Sequence, residues 1–219
     1  AEDFRQAKLI EAKLDQSSRE KLGQRGAFIA LGGLRSLVAT WRSFIALEHF
    51  AEARWVDLEQ EYDLITTLTP HNEYHWTTGG WHIGTNAAGF YERQQSMKPI
   101  QRERMIRSYV NKGRKFYLDG IRHNPKSWEL MTRLASLYDD PQRFPDYDGA
   151  TLWYRRAVET GEAPGFFARA AAYAMVRSPG REEEALDFLR ELWQSPQNRV
   201  PSIKVLIFVL QEKLATAEN

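Results

Sequence analysis

Apolar residues recur at spacings of three and four along most of the chain, the pattern of amphipathic helices. Leu34, Leu37, Val38, Trp41, Ile45 and Leu47 predict a first core helix entered through Gly32-Gly33. Trp55, Leu58, Tyr62, Ile65 and Leu68 predict a second, stopped at Thr69-Pro70 because proline disfavours helical geometry in the residue before it. The two make a helical hairpin. Ahead of them, Phe4, Leu9, Ile10 and Leu14 lie among many charges, so residues 1–26 read as a peripheral helix or linker and 27–219 as the helical domain.

The stretch His71 to Asn86 holds Tyr74, Trp76, Trp81 and Ile83 around Gly79-Gly80. Two adjacent glycines cost a helix about 1 kcal/mol each, so their presence predicts close packing of this helix against a neighbour. From Gly89 to Pro99 the pattern lapses into a connection, and Pro99 suits the first turn of a long helix. Met105, Ile106, Tyr109, Val110, Gly113, Phe116, Tyr117, Gly120 and Ile121 form its apolar face. Further helices follow over Trp128–Tyr138, Ala150–Val158, Phe166–Val176 and Glu182–Trp193. A last one runs from Ser202 to about Ala215, burying Ile203, Val205, Leu206, Val209 and Leu210. No period-two segment exceeds a few residues, so the fold class is all-α.

The second helices of successive units align as Gly113-x3-Tyr117-x2-Gly120, Ala150-x3-Tyr154-x2-Ala157 and Ala185-x3-Leu189-x2-Leu192, at intervals of 37 and 35 residues. First helices align through Leu134-Ala135-x2-Tyr138 and Ala170-x2-Tyr173, with Trp76 and Gly80 earlier. Glycine or alanine at a crossing lets helix axes approach to roughly 8 to 9 Å, and an aromatic ring fills the wedge beside it. In this code the chain resembles tetratricopeptide repeats, whose units run to about 34 residues. A closer likeness lies in Gly32-Gly33-Leu34-Arg35 with Trp41, Leu68-Thr69-Pro70-His71-Asn72, and Trp81-His82-Ile83-Gly84-Thr85-Asn86. These stretches are similar to a group of uncharacterised tetratricopeptide-like proteins of planctomycete-type and related bacteria. The resemblance implies a TPR-like α-solenoid of about four hairpins, with an N-terminal helix and a C-terminal capping helix. It also implies the extracytoplasmic part of a membrane-anchored envelope protein, an expectation compatible with a chain that starts at Ala1 without an initiator methionine. The alternative location is the cytoplasm.

Composition narrows the function classes. The 219 residues carry 30 Lys+Arg against 29 Asp+Glu, so no global field favours nucleic acid or a membrane surface. Cysteine is absent, which removes disulfides and thiolate chemistry. No segment approaches the roughly 18 apolar residues that a bilayer span needs.

Candidate chemistry is sparse. His71, His75 and His82 with Glu73 would suit zinc by residue type, but glutamate stands third in His71-Asn-Glu-Tyr-His75, not second as in the zinc-protease helix. The cations Arg102, Arg104, Arg107, Lys112, Arg114 and Lys115 read as a solvated helix face, since Tyr109 and Phe116 share the apolar stripe instead of stacking bases. Asp139, Asp140, Asp146 and Asp148 lack the spacing of a calcium loop; Asp146 or Asp148 reads as a helix N-cap. Glycine-rich phosphate loops and serine elbows do not occur.

What remains is the concave surface that first helices of such an array line. Carrying the repeat phase along the chain places Tyr74, Thr77, Trp81 and Thr85 on one part of it and Glu129, Thr132 and Ser136 on the next. The expectation is a non-enzymatic scaffold that holds a peptide or protein segment there, without cofactor or metal. The alternatives are a metal-dependent enzyme centred on the three histidines and a structural subunit of an envelope assembly.

Overall fold

The computed structural model describes residues 16 to 217, with side chains from 34 to 216. Phe4, Leu9, Ile10 and Leu14 lie outside the described residues. Every regular element among the described residues is a helix. They are α1 (Gln16–Ala51), α2 (Trp55–Leu68), α3 (Glu73–Trp81), α4 (Ala88–Glu92), α5 (Pro99–His123), α6 (Trp128–Asp139), α7 (Tyr147–Glu159), α8 (Phe166–Arg177), α9 (Glu182–Gln194) and α10 (Pro201–Ala217). None among the described residues is long and apolar enough to cross a membrane.

α1 departs from expectation twice. It runs unbroken through Gly23, Gly26, Gly32 and Gly33, across the boundary expected at residue 26. Glycine weakens a helix without forbidding it. The apolar stripe expected to form its core also faces outward: Leu34, Leu37, Val38, Trp41 and Leu47 are exposed, whereas Ala39 and Ala46 are buried where α1 packs on α2. Alanine at those positions lets the two helices come close. Arg42 adds a two-pronged pair to the buried Glu61 on α2, with Nη2 donating to Oε1 at 2.7 Å and Nε at 2.6 Å from Oε2.

From Glu73 to Glu92 the chain is one continuous helical path, reaching past the connection expected at Gly89. Asn72 caps it, its side-chain oxygen accepting the Tyr74 N–H at 3.2 Å. Its centre, His82–Ala87, is a π turn, which no apolar periodicity announced. The path packs on α5 through glycines. A β-carbon at Gly79 would meet the rings of Tyr62 and Phe116, and one at Gly80 the ring of Tyr117. Trp76 covers Gly120 in return.

α5 buries Tyr109, Val110, Gly113, Phe116, Tyr117, Gly120 and Ile121, the stripe that its sequence predicts. Its cations are largely engaged: Lys112 donates to Glu59 at 2.5 Å, Arg107 to Glu103 at 3.1 Å, and Arg114 to the carbonyls of Leu137 and Phe144. α5 closes on Asn124, whose amide donates to the carbonyls of Pro70 and Gly120 and so ties this turn to the one after α2.

Beyond it, neighbours in sequence are neighbours in space: α5 with α6, α6 with α7, α7 with α8, α8 with α9, and α9 with α10. Ser127 caps α6 and Asp146 caps α7, each accepting a backbone N–H, from Leu130 at 3.3 Å and Gly149 at 2.8 Å. Of the small and aromatic positions that the sequence aligns, those of the second helices are interior, with Ala150, Tyr154, Ala157, Ala185, Leu189 and Leu192 all buried, whereas Tyr138, Ala170 and Tyr173 of the first helices are half-buried. α10 buries Ile203 and Leu210, but Val205 and Val209 are exposed, contrary to the sequence expectation. α9 covers one side of α10 only.

Candidate functional site

Two capped helix starts bring α3 and α6 side by side. Asn72 and Ser127 fix where each helix begins, and the Ser127 hydroxyl also donates to the Glu73 carboxylate, joining the two starts directly. Behind them Tyr117 of α5 fills the space over Gly80, and its hydroxyl donates to the Thr77 carbonyl at 3.4 Å. The result is a surface groove of about 310 Å³ lined by Tyr74, Thr77, Thr78, Trp81, Glu129 and Arg133.

Its chemistry is mixed. Tyr74 and Trp81 are 67% and 45% exposed, so two aromatic rings present area to solvent within one helix. Opposite them Glu129 and Arg133 form a loose pair at 3.5 Å, both partly exposed and free to exchange partners. Thr77 turns its hydroxyl back to the Tyr74 carbonyl at 3.0 Å.

Four of the seven residues chosen from the repeat phase therefore meet here: Tyr74, Thr77, Trp81 and Glu129. Thr132 points inward instead; it is buried, with its hydroxyl donating to the Glu129 carbonyl at 2.9 Å. Ser136 is exposed farther along α6 and hydrogen-bonds the Tyr154 hydroxyl at 3.1 Å. Thr85 lies beyond Trp81 in the π turn, where the wider winding carries it out of the α-helical phase. It sits half-buried, its carbonyl accepting from Arg143. Thr78 and Arg133 were missed. Both were legible as helical neighbours, Arg133 one turn after Glu129 and Thr78 one turn before Trp81.

The three histidines do not converge. His71 shares a hydrogen bond with the His123 carbonyl, Glu73 is held by Ser127, and His82 Nδ1 pairs with the Asn86 amide at 3.0 Å. Among the described residues no three His, Asp or Glu side chains gather in a way that could hold a metal ion. They share one short stretch of sequence, but His71 and His82 are held by different partners and His75 is buried against the Tyr74 ring. His82 is instead a core residue, packed at tilted angles among Phe50, Tyr62 and Trp81 with ring centres 4.4, 5.9 and 5.0 Å away. Burial lowers its pKa from the ordinary 6.5 to about 4, and burial lowers that of His75 as well. Both rings are neutral near pH 7.

Larger hollows exist, one of about 610 Å³ beside Ile121, Met131 and Trp153, and another of about 630 Å³ between Arg35 and Tyr74. Neither sets two exposed aromatic rings against a charged pair as the α3–α6 groove does. Comparison with models of known protein families finds no match, and comparison with curated proteins finds no similar sequence.

Proposed function

We propose that the chain is a non-enzymatic helical-repeat scaffold of tetratricopeptide type, which holds a peptide or protein segment in the α3–α6 groove. The observation that supports this reading is the pairing of two exposed aromatics with a charged pair on adjacent helices, backed by an interior that is closed. Tyr74 and Trp81 offer flat contact area at low entropy cost, as aromatics do at hot spots. Glu129 and Arg133 offer one charge of each sign, suited to a segment carrying a basic and an acidic or carbonyl group a turn apart. The groove is short, so a bound segment of a few residues fits it better than a globular face. The repeat-like sequence code, with its interior small and aromatic positions, agrees with an array whose neighbouring hairpins extend this surface.

The test is partner capture from the native host with wild-type chain and with Trp81→Ala. Expected is loss of the captured segment at least tenfold, with the thermal unfolding midpoint within a few degrees of wild type. Capture that survives both Trp81→Ala and Tyr74→Ala would overturn the groove.

A further inference from the structure

The outward face of α1 has the spacing of a helix-pairing seam. Leu34, Leu37, Trp41 and Phe44 follow one another at three, four and three residues and are 53%, 65%, 61% and 67% exposed, with Val38 beside them. That alternation keeps one partner helix in register along its length. Ala39 and Ala46, seven residues apart, lie on the opposite side and are the positions buried against α2. α1 therefore has one face already used and a second, apolar face with nothing on it among the described residues.

α2 is too short to support α1 throughout. It has 14 residues against 36, and none of residues 34 to 38 is buried. A helix that extends past its neighbour is held by packing more than by propensity, and Gly23, Gly26, Gly32 and Gly33 lower the propensity here.

We propose that α1 pairs with α1 of a second copy of this chain, with Leu34, Leu37, Trp41 and Phe44 interleaved along the contact. Leu34, Leu37, Val38, Trp41 and Phe44, with Leu47 exposed at their edge, offer at most roughly 600 Å² per copy. Two copies would then bury on the order of 1,200 Å², the lower end of what a stable interface needs. The charges agree with it. Arg42 is turned to Glu61 on the α2 side, and Glu48 stands at the next seam position and ends the apolar run. A seam of this kind suits a helix better than a flat lipid surface, which needs no such register.

The proposal is independent of the groove and is tested on the full chain by sedimentation equilibrium from low to tens of micromolar. Expected is a concentration-dependent dimer. Leu37→Glu, or the milder Leu37→Gln with Phe44→Gln, raises its dissociation constant at least tenfold while the helical circular dichroism signal is kept. Arg35→Glu, exposed but off the seam, leaves the dimer intact. A wild-type chain that stays monomeric throughout overturns the proposal, as does a dimer that survives both seam variants. So does a monomer that floats with phosphatidylglycerol vesicles, or one that dimerises only when residues 1–15 are removed, since each names a different occupant of the face.

Discussion

Gly84 of the π turn and Gly113 of α5 meet backbone to backbone: a β-carbon on Gly113 would stand 2.3 Å from the Gly84 Cα. No rotamer change relieves such a contact, because the obstructing atom belongs to the main chain. Gly113→Ala should therefore destabilise by about 3 kcal/mol or more, beyond the roughly 1 kcal/mol that alanine gains in a helix. Gly165→Ala is the control. Beyond its chain neighbours nothing lies within 4 Å of its added carbon, and as the N-cap of α8 it should lose no more than about 1 kcal/mol in denaturant unfolding.

Two tryptophans five residues apart should behave differently. Trp76 is 6% exposed, lies over Gly120 and Phe116, stacks on His123 and donates its N–H to the Pro70 carbonyl at 2.8 Å. Replacing it with alanine should cost about 3 to 5 kcal/mol. Trp81→Ala removes a half-exposed ring and should cost no more than about 1.5 kcal/mol. Urea unfolding of the two variants distinguishes core from surface.

His82 predicts an acid-side loss of stability. Its pKa is about 4 in the folded chain and 6.5 unfolded, so the unfolded state binds the extra proton first as pH falls. Its contribution is complete above pH 6.5 and is lost progressively between 6.5 and 4, amounting to on the order of 3 kcal/mol. His75 acts in the same direction. Asp63 and Asp139, whose carboxyls burial raises, act in the opposite one at the acid end. Stability of His82→Gln measured across this window should slope less than wild type; an unchanged slope would assign the acid response elsewhere.

The Arg42–Glu61 pair should be costly to halve and cheap to replace whole. Glu61 is 7% exposed, and Arg42→Met leaves its carboxylate without the guanidinium, with only His49 Nε2, 3.8 Å away, beside it. A loss on the order of 3 kcal/mol is expected, since a buried charge without its partner is penalised more than the pair is worth. Arg42→Met with Glu61→Leu should recover most of it. A double-mutant cycle by thermal unfolding supplies the comparison.

Most of the helices and the small residues at their crossings were legible without coordinates. Gly113, Tyr117 and Gly120 stand at offsets that only a helix crossing explains, and all three are interior. Asp146 could be read as a cap because a short carboxylate ahead of an apolar run satisfies free N–H groups locally. Half of the groove was legible too, since Tyr74, Thr77 and Trp81 share one helix face by spacing alone. Of the α6 half the repeat phase placed Glu129 but not Arg133, since how α6 meets α3 depends on both helices arriving side by side.

The sequence by itself determined that the chain is helical and which faces are apolar, because both follow from local periodicity, but not where α1 begins or that the path from Glu73 continues to Glu92. Only the tertiary structure decided what each face meets. On α1 it chose Ala39 and Ala46 over the larger Leu37, Trp41 and Phe44, because small side chains permit the closest approach of α2. At His82–Ala87 it wound a π turn that took Thr85 out of phase, and it set the three histidines apart, His71 on the His123 carbonyl, His82 on the Asn86 amide and His75 buried against the Tyr74 ring. Periodicity states that a face is apolar; the long-range contacts that cover it, or leave it free for a second chain, are a property of the whole fold.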